Sequence, residues 1–200
     1  MIIRRKLISL LIIAAGALSC APLAMSQAGT SVNEGDWPNI HGDAAARRYS
    51  PLDQINPDNV GDLEIAWNFS TLHFGVGTDY VNPSTPLEVD GVLYANIGST
   101  RNVVALDATN GQVLWLWRYQ EGDRFDEAPR KGAGRGVSYW SDGESARIID
   151  VSPGYQLVSL DAETGIPDPN FGDNGLVDLY VGVRNGEDDR FAYPDIGLSA

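Results

Sequence analysis

The feature that most limits this 200-residue chain is an internal repeat. Val103-Val104-Ala105-Leu106-Asp107-Ala108-Thr109-Asn110-Gly111 and Leu157-Val158-Ser159-Leu160-Asp161-Ala162-Glu163-Thr164-Gly165 are two copies of one pattern, with Asp107 and Asp161 lying 54 positions apart. A strand-like run precedes each copy, residues 92–98 in the first and 147–152 in the second. A repeat of roughly 40–50 residues holding four short strands is the signature of a propeller blade. The extra length falls in residues 120–134, a polar insertion, and insertions in repeat proteins collect on one face, often the binding face.

Local chemistry points the same way. Asp90-Gly91 between two β-forming runs is a hairpin signal, because both residues accept positive φ. Residues 103–106 and 112–119 form a second pair, and residues 147–151 and 156–160 a third, around Ser152-Pro153-Gly154. Residues 63–69 are a mixed apolar run rich in strand formers, and no stretch sustains a helical period. Asp107 and Asp161 can accept hydrogen bonds from the tight turns that follow them, while Gly111 and Gly165 permit positive φ there. Trp115 offers a flat surface for packing between neighbouring blades.

The first 28 residues read as a secretory signal peptide, with Arg4, Arg5 and Lys6 before an apolar run and small residues up to Ala28. Residues 29–200 form the remaining domain. Lipidation at Cys20 is the rival reading of this segment. Removing the three leader cations takes the net charge from −13 to −16, and removes the single cysteine. Such an acidic chain lacks the basic footprint of a nucleic-acid binder. Without the cysteine, disulfides, cysteine zinc sites and cysteine nucleophiles are excluded. His41 and His73 have no metal-ligand spacing. Asp36, Asp43, Asp53 and Asp58 read as turn formers, and Glu187-Asp188-Asp189 as a solvated loop. Residues 132–136 are rich in glycine, but no helical pattern follows to make a dinucleotide site.

Several motifs in order carry a resemblance. They are Asp36-Trp37-Pro38, Gly42-Asp43, Arg47-Arg48-Tyr49-Ser50-Pro51-Leu52, Ala66-Trp67, Thr85-Pro86-Leu87, Arg135-Gly136-Val137-Ser138-Tyr139-Trp140 and Phe171-Gly172-Asp173-Asn174-Gly175. From about residue 35 onward the chain resembles the N-terminal part of the pyrroloquinoline quinone (PQQ)-dependent dehydrogenases. The resemblance implies an all-β chain carrying the N-terminal blades of an eight-bladed β-propeller, incomplete in these residues. It implies a periplasmic enzyme that oxidises a small alcohol or sugar and passes electrons to a quinone or cytochrome c. It implies PQQ and Ca2+ as cofactors, with the calcium ligands and catalytic aspartate beyond residue 200, so that this piece alone is inactive. Arg135 stands where the family places an arginine against the quinone. A guanidinium suits a planar tricarboxylate because it presents rigid paired donors.

The departures are equally specific. Adjacent cysteines precede this arginine in methanol- and ethanol-oxidising members, and a histidine in glucose-oxidising members; here residues 130–134 are Arg-Lys-Gly-Ala-Gly. Lys131 is a candidate contact to a PQQ carboxylate or a plain surface lysine, and Ser199 is a candidate contact near the third blade. Pro83 replaces an expected glutamate, with Glu88 nearby, and Pro169 falls where the second repeat would place its tryptophan. The run Gly165-Ile166-Pro167-Asp168-Pro169 looks more like the sugar-oxidising branches. The alternative function is a scaffold of the outer-membrane assembly lipoprotein type, which binds no quinone.

Overall fold

The computed structural model describes residues 33–75 and 82–181. The leader, Cys20, Glu187-Asp188-Asp189 and Ser199 lie outside the described residues. Two four-stranded antiparallel sheets stand side by side. The first contains β1 (Leu87–Val89), β2 (Val92–Ile97), β3 (Asn102–Asp107) and β4 (Val113–Trp117), and the second β5 (Ser138–Ser141), β6 (Ala146–Val151), β7 (Gln156–Asp161) and β8 (Leu176–Asp178). In each sheet the strands follow chain order, as in a meander. These are two blades of a propeller, and among the described residues they do not close a ring. Among the described residues, helix is limited to α1 (Asp123–Asp126) and one 3-10 turn (Val60–Asp62).

The expected hairpins form. Asp90 and Gly91 take φ of 55° and 78°, so the β1–β2 turn curls with the strand twist. Glu88 Oε1 accepts a 2.8 Å hydrogen bond from the Gly91 amide in that turn. After β3, Gly111 N donates to Asp107 O at 2.8 Å; after β7, Gly165 N donates to Asp161 O at 2.8 Å. Thr109 N and Thr164 N donate to the side chains of Asp107 and Asp161, each at 2.8 Å. Asp43 and Asp36 likewise accept from nearby backbone amides.

The two blades meet through the β2 and β3 face of the first and the β6 and β7 face of the second. Leu87, Val89, Tyr94, Val103 and Ala105 pack there with Val137, Ile148, Val158 and Leu160. Trp115 Nε1 donates to Ala162 O at 3.0 Å, and Tyr94 Oη donates to the same carbonyl at 3.2 Å. Burial pushes the Tyr94 hydroxyl well above its ordinary pKa, so it stays a donor. The Trp115 ring lies directly over Gly165, where a Cβ would come within 2.5 Å of it.

Residues 63–69 differ from expectation. They are extended but belong to no strand, because no neighbouring strand among the described residues pairs with their backbone. Their aromatic residues Trp67 and Phe69, joined by Phe74, still pack on the first blade's other face against Ala95, Ile97, Val104 and Leu106. Trp67 Nε1 donates to Ala108 O at 3.0 Å, and its ring lies over Gly111 as Trp115 lies over Gly165. Trp37 exchanges two backbone hydrogen bonds with Glu88, at 2.7 and 3.1 Å, adding a bridge beside β1.

Replacing Trp115 with alanine removes an indole and leaves the Ala162 carbonyl with one donor fewer. Urea denaturation should show a loss of roughly 3 kcal/mol, against less than about 0.5 kcal/mol for Val113→Ala on the exposed side of the same strand. Equal effects at the two positions would contradict this account of how the blades dock.

Candidate functional site

Strands β1, β3, β5 and β7 begin at one end of the two blades, and β2, β4 and β6 end there. At this upper end lie residues 82–86, the turn 98–101, the insertion, residues 130–137 and the turn 152–155. The insertion is fastened to the second blade. The Glu121 carboxylate accepts from Ser152 Oγ at 2.6 Å and from Gly154 N at 3.0 Å. Arg124 donates from Nε to Gly154 O and from both terminal nitrogens to the Asp178 carboxylate, each at 2.7 Å. This paired geometry fixes both angle and distance.

Arg135 sits in the loop that enters β5, with its side chain exposed. Its carbonyl accepts a 3.4 Å bond from Thr85 N in the loop that enters β1. Strands β1 and β5 therefore start side by side. Gly136, at φ 121°, lets that contact close, since a Cβ there would stand 3.0 Å from Thr85 O. Beneath the loop runs Arg101, which donates from Nε to Gly132 O at 3.0 Å and from Nη1 to Val151 O at 2.9 Å. Gly132 N donates in turn to Ser99 O at 2.9 Å. Residues 132–136 lead into a strand rather than a helix, as their sequence implies.

The structure places Lys131 on its own loop. Nζ donates to Asp126 O at 2.9 Å and lies 4.8 Å from the centre of the Phe125 ring. An ammonium has three donors, so two remain. Glu88, at work in the β1–β2 turn, lies at the opposite end of the sheet from Arg135.

Sequence reasoning missed a buried polar pair at the same end. Asn96 on β2 and Asp150 on β6 occupy the interface between the blades and are only 1% and 3% exposed. The Asn96 amide approaches Asp150 without closing a well-formed bond: Asn96 Nδ2, Asn96 Oδ1 and Asp150 Oδ2 have no hydrogen-bond partner. Burial pushes the Asp150 carboxyl up to about 7, opposed chiefly by the Arg101 guanidinium. The signal was available, for Asn96 and Asp150 are also 54 positions apart and interrupt otherwise apolar strands.

A planar, polyanionic cofactor needs cationic donors held at fixed positions. The braced loop supplies one in Arg135, whose guanidinium has no partner among the described residues. Lys131 supplies a second cation in the same loop. These residues fit such a group. Among the described residues, no cluster of three or more His, Cys, Asp or Glu is placed to hold a metal ion. No described helix is long and apolar enough to cross a membrane.

This arrangement defines a class, a propeller with a cation-bearing loop where β5 begins. Residues 37–196 match the family model for PQQ glucose/ethanol/alcohol dehydrogenases, β-propeller domain, and the chain belongs to that family. It is 36% identical over 163 residues to the dehydrogenase subunit of the quinone-dependent alcohol dehydrogenase of Gluconobacter oxydans (strain 621H), covering 76% of this chain and 20% of that protein. It is also similar to the solved quinohemoprotein alcohol dehydrogenase ADHIIG from Pseudomonas putida HK5, with a TM-score of 0.57, 32% identity, and coverage of 72% of this chain and 19% of that one. A europium-containing methanol dehydrogenase superposes with a TM-score of 0.53 at 29% identity, covering 66% of this chain and 22% of the other. The chain spans about a fifth of the length of these relatives.

Asp150 gives a pH signature with a definite sign. Its folded pKa, about 7, lies above the ordinary carboxylate value near 4, so the folded state holds this proton more tightly than the unfolded chain. The resulting stabilisation is complete below pH ~4 and is lost as the pH rises through about 7. Urea titrations at a series of pH values should show Asp150→Asn gaining on the unsubstituted protein by on the order of 3 kcal/mol between pH 4 and 8. A gap that does not change with pH would refute the assignment.

Proposed function

We propose that the protein is a PQQ-dependent dehydrogenase that oxidises a small alcohol at the upper end of the propeller. The observation that carries this reading is Arg135, an exposed guanidinium on a loop held at Thr85, Ser99 and Arg101. Quinone-dependent alcohol dehydrogenases among the relatives support an alcohol over a sugar. When bound, the quinone would supply an acceptor for the two electrons and two protons released as an alcohol becomes a carbonyl compound.

The residues of this chain bind and orient. Arg135 donates paired N–H groups to a carboxylate or quinone oxygen, and its fixed charge favours electron density arriving there. Lys131 contributes a second positive charge from the same loop. The Thr85–Arg135 contact and the Glu121 and Arg124 anchors keep the loop from drifting, which preserves the alignment of the reacting groups. We assign no proton-transferring group and no metal ligand to the described residues. Ca2+ would take its ligands from outside the described residues, where Ser199 also lies.

The remaining parts of the proposal are export to the periplasm, directed by residues 1–28, and electron delivery to a quinone or cytochrome c. The family relationship and the leader sequence support them.

Titration of the purified protein with PQQ, followed by absorbance, should reach saturation at one equivalent. Arg135→Ala should weaken binding by roughly 10- to 100-fold, the loss expected for one charge-assisted contact. Arg135→Lys should fall between, because it keeps the charge and loses the fork. A protein that takes up no PQQ, and whose full reading frame reduces no dye with alcohols after loading, would instead be a propeller scaffold.

A further inference from the structure

We propose that Arg101 is a positioning residue of the cofactor site: from the first blade it holds the loop that presents Arg135 on the second. The inference rests on the reading of Arg135 as a cofactor contact, and adds a residue that touches neither cofactor nor substrate.

The grip is two-sided. Within the turn 98–101, Ser99 O receives the Gly132 amide at 2.9 Å, and Arg101 Nε returns a bond to Gly132 O at 3.0 Å. One residue of the loop is thus held at both its donor and its acceptor. The same guanidinium reaches Val151 O at 2.9 Å, tying the end of β6 to the loop. Lysine has no planar fork and cannot span two carbonyls on different elements in this way. The fit is close, since a Cβ on Gly134 would come within 2.9 Å of Arg101 Nε. Arg101 itself takes φ of 50°, a conformation that a non-glycine residue holds only where its surroundings fix it.

The loop needs this support. Glycine at 132, 134 and 136 gives residues 132–136 wide freedom in isolation. Binding a rigid planar ligand with a loose loop forfeits affinity to ordering, and a loop already ordered does not. Asp150 lies on β6 next to Val151, fully enclosed, and Arg101 is the cation acting on it. Asn96 faces Asp150 from β2, and Glu121 is the other charge felt there.

The test uses Arg101→Ala and Arg101→Lys, with Arg118→Ala as control; Arg118 lies over the Phe74 ring instead. Hydrogen exchange without added PQQ should show at least a tenfold loss of protection at Gly132 in both Arg101 variants, with β7 unchanged. PQQ affinity should fall about tenfold in Arg101→Ala and stay unchanged in Arg118→Ala. In an Arg135→Ala background the Arg101→Ala penalty should largely disappear, because the loop then has no guanidinium to present. A purely structural role would leave that penalty intact and overturn the proposal. Unchanged protection at Gly132 in Arg101→Lys, the variant safer for folding, would overturn it as well. If the unsubstituted protein binds no PQQ, the functional reading falls, and the exchange result alone decides whether Arg101 holds the loop.

Discussion

The contact on which the fold depends is an indole laid flat against a glycine turn of the next blade. It occurs twice, as Trp67 over Gly111 and as Trp115 over Gly165. In both cases the indole N–H reaches the alanine carbonyl that opens the turn, Ala108 or Ala162, at 3.0 Å. The large ring needs a turn without side chains, and the turn needs positive φ at the same residue, so glycine meets both demands. Each turn is shaped by an aspartate that accepts from the following threonine amide. A four-stranded sheet has two apolar faces and cannot bury both alone. The ring and turn contact fixes how the next unit covers one of them.

The interface between the blades has two unlike ends. At the lower end, Tyr94, Trp115 and Ala162 form an apolar corner with its polar atoms paired. At the upper end, Asn96 and Asp150 bring polar groups into the buried interface, and three of their atoms have no hydrogen-bond partner in the protein. Burying such groups lowers stability. They stand beneath Arg101, and Arg101 supports the loop that bears Arg135. Stability is concentrated at one end and placement of charge at the other.

Much of the blade was legible in the sequence because its signals are local. Asp90-Gly91 specifies its own turn, and the Asp107 and Asp161 turns close within four residues. Trp115 was readable as a docking surface because the repeat supplied its context. Trp67 was not, because no strand pairing surrounds it and residues 63–69 lack a complete repeat of their own. Arg135 was legible through its motif, whereas Arg101 was hidden, since its partners are the carbonyls of Gly132 and Val151. Backbone carbonyls leave no mark in a sequence. Lys131 kept its cationic character but is held by Asp126 O and the Phe125 ring, contacts within a loop whose path the composition does not specify.

The overall charge also takes on a different meaning once the fold is placed. A chain at −13 looks ill suited to a cofactor with three carboxylates. Yet Arg101, Arg118, Arg124, Arg130, Lys131 and Arg135 all fall at the upper end. Field at a site depends on distance, and fixed charges a few ångströms away outweigh a diffuse excess of acids screened beyond about 10 Å. Nor are these cations equivalent. Arg124 is matched to Asp178, Arg118 lies over Phe74, and Arg101 is directed inward at carbonyls. Those three side chains are engaged within the structure, whereas Arg135 is exposed on a loop that Arg101 and Arg124 help to hold. The cations at this end are thus divided between those engaged within the structure and those left exposed on the loop.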